Sequence, residues 1–535
     1  MKYIITEDDK LLIQQESLKF KYKLFIVDDN KNVLDEIQGI RSIGSYSIDS
    51  ESEIRRTTGF TLLLDDCYQD TMSVEKKLFS WIGYNFQMKI GIYSLRLGDY
   101  KWYDCGYYLI TEANTIYNAT DNSLTLNLAD WYANLNGTRN GQIGGAPIIK
   151  IPNIDEEGNP VSIKAVTETV FINETNYKDY IIDDIGEFYG MPQNNVDYLE
   201  YRHTYPLWNQ LPYDLEYEVG CYIATIFDEI KNLYPNCQMY FDIFGNFCFN
   251  LIPSCEYDPI LIDDEFIQSI LVADNTEEVQ YDINAIKNVT EVFGQTYEID
   301  RYATTVTTSS DTYILELEDY DDYHYGDMIA FIPDINNVEN MKISINSLSS
   351  IPVYYEFTTD FVDADTLKAG ETYVLKIKTI GTDFVAYYLG QYQPHAICVL
   401  TDDENDNFYT KKYFSERYNC HEKNIVLRVE KNSPFTVQKL GIIWDEKTGK
   451  EFDNILSDSV AVENAIYYNR KSSSIYDTVT ITTKMIPFLD VNEKIEYRKQ
   501  QEENSNYYVI KSIDNNMESY TSQITMYRFY PLYYK

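Results

Sequence analysis

Apolar and polar residues alternate with a period of two along most of this 535-residue chain, and the alternating stretches are bounded by Gly, Asn, Asp and Pro. The first of them, over 20–28, 42–50, 59–64, 86–97, 106–111 and 123–129, predict the strands of one β domain. In SLTLNLADWYANLNG (123–137), Leu124, Leu126 and Leu128 fall on one strand face, and Asp130 is placed to cap a short helix stopping at Asn136-Gly137. Gly, Asn and Pro crowd 136–160 and mark a boundary. The period then changes. Leu215, Val219, Tyr222, Ile223, Ile226, Ile230 and Leu233 recur at helical spacing and Pro235 cannot continue the run, which predicts a helix over 214–234. A hairpin over 238–252 follows, with its turn at Phe244-Gly245-Asn246 and arms alternating through Tyr240, Asp242, Phe247, Phe249 and Leu251. The aromatic stripe reads as core between helix and hairpin.

Beyond 288 the alternation returns at 289–293, 313–317 and 328–332, and again in TYVLKIKTIG, FVAYYLGQY, IVLRVEKN and VQKLGIIW. An internal echo organises these strands. KIGIY (89–93), CGYYLIT (105–111) and SLTLNLAD (123–130) recur in the same order as KIEY (494–497), NYYVIKS (506–512) and SQITMYRF (522–529). The expected fold is therefore mainly β with a minor α+β part. A first β-barrel covers 1–145, a linker and α+β domain 146–287, the start of a second barrel 288–342, an inserted β-sandwich-like module 343–455, and the rest of the second barrel 456–535.

Composition narrows the function. With 44 basic and 85 acidic residues the net charge is −41, a surface that repels nucleic acid and anionic membrane, so sequence-specific nucleic-acid binding is excluded as an expectation. The eight cysteines (67, 105, 221, 237, 248, 255, 398, 420) lack C-x-x-C spacing and read as free, buried thiols. MKYIITEDDKLLIQQ lacks the h-region of a signal peptide and no apolar run approaches membrane-spanning length, so the expectation is a protein without a membrane anchor, made in a reducing cytoplasm.

Candidate chemistry is sparse. His203, His324, His395 and His421 are scattered, without a nucleophile signature or metal-ligand spacing. Asp402-Asp403-Glu404-Asn405-Asp406-Asn407 resembles the start of a calcium loop, but Asn407 and Tyr413 stand where that loop needs Gly and Glu, so a solvated turn is expected. With 85 acids no carboxylate pair is informative for glycoside hydrolysis, and no phosphate-binding glycine motif is present. FVAYYLGQYQ (384–393) is the place to look for a sugar-stacking platform, with core packing the expected use. No catalytic, cofactor-binding or metal residue is assigned.

Three stretches, GYYLITEANTIYNATDNSLTLNLADWYANLNG (106–137), EVGCYIATIFDEIKNLYPNCQMYFDIFGNFCFNLIPS (218–254) and MIPFLDVNEKIEYRKQQEENSNYYVIKSIDNNMESYTSQITMYRFY (485–530), together resemble tail-hub proteins of phages infecting Gram-positive bacteria. The resemblance leaves about 343–455 unmatched. It implies a non-enzymatic virion protein of the tail tip or baseplate, in which each subunit carries two similar barrels. Three subunits would then close a ring that presents pseudo-sixfold symmetry to a hexameric tail tube, and DNA would leave through it. Its implied partners are two further copies of itself, the tail tube or distal tail protein, and a tail-tip, fibre or spike protein. A wall-cleaving domain, carried by some relatives, is not expected after Lys535. The alternative expectation is a tail adhesin that binds cell-wall glycan through the 343–455 module.

Overall fold

Strand takes 43% of the described residues and helix 16%, so the protein is mainly β. The computed structural model describes residues 3–529 apart from 64–80, 118–121, 145–147, 154, 156–160, 184–210, 212–213, 234–236, 256–257, 273–275, 282–283, 298, 300, 356–358, 450–451, 453–454, 456–457 and 474–476.

Helix α1 (Glu7–Ile13) opens on a capping box between Thr6 and Asp9. Seven strands follow: β1 (Phe20–Val27), β2 (Val33–Glu36), β3 (Ile40–Asp49), β4 (Arg56–Leu63), β5 (Asn85–Ser94), β6 (Asp99–Tyr117) and β7 (Asn122–Asp130). Leu124, Leu126 and Leu128 all lie buried from β7, as their spacing requires. Asp130 caps a 3-10 turn over Trp131–Asn134, its carboxylate accepting from the Tyr132 N–H at 3.0 Å.

The α+β part holds β8 (Ile148–Ile151), α2 (Ile163–Glu174), β9 (Tyr180–Ile182), β10 (Leu215–Glu218), α3 (Ile223–Leu233), β11 (Cys237–Phe241) and β12 (Phe247–Leu251). The helix expected over 214–234 is shorter than its pattern. Leu215 and Tyr217 are buried while Glu216 and Glu218 are exposed, so this stretch is a strand paired antiparallel with β8, and Gly220, at φ +89°, separates it from α3. The stop at Tyr234-Pro235-Asn236 lies outside the described residues. The hairpin forms as expected, and the α3 ring Phe227 meets Phe247 at 4.8 Å between centroids, with Phe171 of α2 stacked on Phe247 at the same distance.

After α4 (Asp264–Ile270) and β13 (Glu278–Gln280), the strands expected to begin the second barrel pair elsewhere. β14 (Val289–Phe293) joins a four-stranded sheet with β23 (His395–Thr401), β24 (Ile425–Val429) and β25 (Trp444–Lys447). Between them lie β15 (Arg301–Tyr302), β16 (Thr305–Ser309), β17 (Thr312–Glu316), β18 (Met328–Phe331), β19 (Lys342–Ile345), β20 (Ile351–Tyr355), β21 (Tyr373–Ile380) and β22 (Asp383–Gln391). These eight form one sheet, in the order β15-β18-β21-β22-β20-β19-β17-β16, around a core of their own that includes Tyr313, Ile343, Val353, Tyr373 and Leu375. The inserted part thus starts at 288 instead of 343. It is not a plain sandwich either, because β23 and β24 are parallel and need a crossover, supplied by α5 (Lys411–Tyr418). The short α6 (Val437–Leu440) and the longer α7 (Asp458–Ser472) complete it. Its two ends meet: the Lys287 N–H donates to the Ser472 carbonyl at 2.8 Å.

The chain then returns with β26 (Thr478–Lys484), β27 (Lys494–Tyr497), β28 (Asn506–Asn516) and β29 (Thr521–Tyr527). Among the described residues the two barrels expected from the echo are not separately closed. Their strands form one twelve-stranded sheet in the order β13-β26-β29-β28-β3-β4-β7-β6-β5-β1-β2, with β27 also on β28. One hydrophobic core serves both parts, joining Leu24, Phe60, Phe86 and Leu126 to Ile481, Tyr497, Tyr508 and Ile524. The reason is the length of β28, whose first half pairs with β27 and whose second half pairs with β3.

Candidate assembly site

Within that sheet the same unit occurs twice. β3-β4-β7-β6-β5 and β13-β26-β29-β28-β27 have the same spatial order for the same chain order. The match extends to a defect. After Ile110 the register of β6 on β7 skips Thr111, and after Ile510 the register of β28 on β29 skips Lys511. A bulge leaves one residue unpaired and bends its strand, so two bulges at one position of one meander mark a repeated design. The sequence echo was nearly in step with it. Tyr107-Tyr108 and Tyr507-Tyr508 coincide, but Phe86-Gln87 face the first pair where Ile495-Glu496 face the second, so Lys494 takes the place of Asn85 and not of Lys89. Likewise Met526, not Tyr527, stands where Leu128 does.

The units meet along β28 and β3, with Ser512 to Asn516 opposite Asp49 to Ser45. The bulged Lys511 helps to close this seam, because its carbonyl accepts from both the N–H (3.0 Å) and the hydroxyl (2.8 Å) of Ser50 while its ammonium pairs with Glu51 at 2.7 Å. Asn515, buried, donates to the Tyr46 carbonyl at 3.1 Å and accepts from the Ser522 hydroxyl at 2.5 Å.

Two buried arginines tie the seam to the α+β part. Arg56 is 1% exposed; its guanidinium pairs with Asp490 and donates to the Phe241 carbonyl at 2.6 Å, and its backbone N–H donates to Asp130 at 2.9 Å. Burial disfavours its charge, but Asp490 and the neighbouring phenols and carboxylate hold the guanidinium more firmly protonated than usual. Asp130 shows the opposite balance: burial pushes its carboxyl up to about 6 despite Arg56. Arg55 donates to Gln238 and lies 3.4 Å over the ring of Tyr240, and Asn492 donates to the same Gln238 oxygen. The D-x-x-G-x-F turn of the hairpin has a local cause. The Asp242 carboxylate accepts from Phe244 N–H, Asn246 N–H and the Asn246 amide, and Gly245 sits at φ +74° where a Cβ would meet Trp131 at 2.9 Å.

The catalytic candidates do not converge. His203 lies outside the described residues; His324 is exposed beside Asp327. His421 is buried, its ring bonded to the Thr366 carbonyl at 2.6 Å, and burial lowers its basicity. His395 is a constellation that spacing did not show: it bonds Glu291 at 2.7 Å and stacks on Phe293 at 4.2 Å, and Trp444 donates to the other Glu291 oxygen at 2.8 Å. Glu291 and His395 are buried, Phe293 is half-buried and Trp444 is exposed, and together they knit β14, β23 and β25. In the 402–407 stretch the carboxylates serve the turn, Asp406 accepting from the N–H groups of Phe408 and Tyr409. Among the described residues no group of three or more His, Cys, Asp or Glu converges as a metal site. Tyr387 and Tyr388 of the expected sugar platform are buried. The seven described cysteines are unpaired, and burial raises the thiol of Cys398 to about 12. No helix among the described residues is long and apolar enough to cross a membrane. A cavity of about 510 Å³ beside the seam is lined by five basic residues, Lys231, Arg470, Lys471, Lys511 and Arg528, of which Lys231 pairs with Asp228 at 2.6 Å, Lys511 with Glu51 at 2.7 Å and Arg528 with Asp477 at 2.7 Å.

Solved structures similar to this chain include phage tail and baseplate proteins and a VgrG complex. A 43 kDa tail protein of prophage MuSo2 from Shewanella oneidensis is 9% identical, with 95% of this chain and 98% of that chain covered and a TM-score of 0.42. A tail protein from Neisseria meningitidis MC58 is 6% identical over 95% and 96%, at 0.42, and prophage tail protein gp18 from Listeria monocytogenes EGD-e is 10% identical over 95% and 94%, at 0.38. By sequence, residues 432–533 match the family model "Domain of unknown function (DUF5048)". No curated protein matches the chain by sequence.

Proposed function

We propose that this protein is a structural hub of a phage tail, a ring of three copies at the tail tip or baseplate between the tail tube and the tip, fibre or spike proteins. The observation that carries the reading is the repeated five-stranded unit, equal in strand order and in bulge position, fused edge to edge within one sheet. Two quasi-equivalent units per chain let a threefold ring present six similar faces to a sixfold tube. Head-to-tail contacts that close on themselves cover strand edges and do not run into a fibre. The net charge of −41 suits a passage for DNA, which slides past walls that repel it. The sequence resemblance to tail hubs supports the same reading, and an interior given to structural hydrogen bonds supports a role without catalysis.

Mass measurement of the purified protein at micromolar concentration tests the ring. A trimer is expected, and a persistent monomer overturns the reading. Zymography on host cell walls tests the absence of catalysis, with clearing as the contrary result.

A further inference from the structure

The seam inside the chain has a second, unfilled copy. By the equivalence of the two meanders, Ser512–Asn516 of β28, which β3 covers, correspond to Glu112–Ile116 of β6. Among the described residues no strand lies on that edge of β6 beyond the reach of β5, which ends its pairing at Tyr108. The counterpart of β3 is β13, and its outer edge is likewise without a strand among the described residues, since it pairs only with β26. One chain therefore carries both halves of a seam, at sites that belong to different units.

Exposure agrees. Asn515 and Tyr46, which face each other in the filled seam, are 3% and 1% exposed, whereas their counterparts Thr115 and Val279 are exposed and half-buried. Open strand edges carry unpaired N–H and C=O groups and pair with whatever strand fits them.

We propose that β6 of one copy and β13 of the next form the intersubunit seam, antiparallel, with Thr115 opposite Val279. This rests on the ring reading above and names its contact. The register follows from the filled seam. Tyr46 lies opposite Thr58 and Thr58 opposite Leu128; Val279 lies opposite Val479 and Val479 opposite Met526; Leu128 and Met526 are equivalent, so Val279 stands for Tyr46. Asn515 opposite Tyr46 then becomes Thr115 opposite Val279. The neighbours are Ala113 with Tyr281, Asn114 with Gln280 and Ile116 with Glu278, in which no like charges face each other. A second chain is the occupant because its own β28–β3 contact is the template. The rival edge, the outer side of β2, has no counterpart in the filled seam.

The test is disulfide trapping in the full chain. Thr115→Cys with Val279→Cys, oxidised and run without reductant, shifts the protein from monomer to covalent dimer and trimer bands, while each single variant and the mispaired combinations Asn114→Cys/Val279→Cys and Leu34→Cys/Val279→Cys stay monomeric. Far-UV circular dichroism equal to the parent shows that the variants fold. Light scattering on the unoxidised double variant separates the two readings. A trimer that does not trap, or that traps only through a mispaired combination, overturns this seam and leaves the ring; a monomer overturns both.

Discussion

Arg56→Met is the sharpest probe of how the sheet and the α+β part are held together. The substitution keeps most of the side-chain volume and removes the charge from a site that is 1% exposed. Breaking a buried ion pair from one side costs about 3–5 kcal/mol, because the partner stays behind unneutralised. Two observations place this case at the lower end. The Asp490 side chain is 21% exposed and reaches water, and Asp130 keeps its two backbone donors, Arg56 N–H at 2.9 Å and Tyr132 N–H at 3.0 Å. Against that, the Phe241 carbonyl loses a charged donor at 2.6 Å, a bond worth about 1.5–3 kcal/mol. The expected loss is about 4 kcal/mol at pH 8. The sign with pH is fixed by Asp130, whose folded-state pKa of about 6 is above the ordinary value; its ionisation costs stability as pH rises from about 4 through 6, and that cost grows when Arg56 is gone. The deficit of the variant therefore shrinks between pH 8 and pH 5, where Asp130 is neutral in both proteins. Urea unfolding followed by tryptophan fluorescence, read on the transition that includes Trp131, measures it. A loss under about 1 kcal/mol at pH 8, or a deficit that does not change by pH 5, refutes the argument.

Asp458, buried at the start of α7, has its carboxyl pushed up to about 7 by burial, so its ionisation removes roughly 4 kcal/mol of stability as pH rises from about 4 to 7. Asp458→Asn flattens that part of the profile and raises the melting temperature at pH 8; parallel profiles for variant and parent contradict it. Gly245→Ala forces a Cβ to 2.9 Å from Trp131 at a left-handed φ of +74° and costs roughly 3 kcal/mol, seen as a lower urea midpoint without a change in slope. An unchanged midpoint is the adverse result.

Local pattern carried as far as local physics reaches. The alternation of Leu124, Leu126 and Leu128, the cap at Asp130 and the turn at Asp242 to Asn246 were all legible because their causes lie within a few residues. Leu215 and Tyr217 were misread because Leu215, Val219 and Tyr222 also fit a helical spacing, and four residues cannot discriminate the periods. Val289–Phe293 reads like any half-buried strand, and only its partner, about a hundred residues on, assigns it to the insertion. The candidate site was half legible. The echo exposed the repeated unit, but the bulges and the fusion of the units depend on contacts such as Ser50 with Lys511, 461 positions apart, which no window on the sequence contains. His395 with Glu291, 104 positions apart, stayed hidden for the same reason.

The hydrogen bond from Lys287 to Ser472 has a consequence for how such a protein can change. Where a long excursion leaves and rejoins a scaffold at one point, loop-closure entropy depends little on what the excursion contains, since doubling its length costs only about 0.6 kcal/mol. The position behaves as a socket: the twelve-stranded sheet keeps its strand order while the eight-stranded part of the excursion, which has a core of its own, is enlarged, trimmed or exchanged.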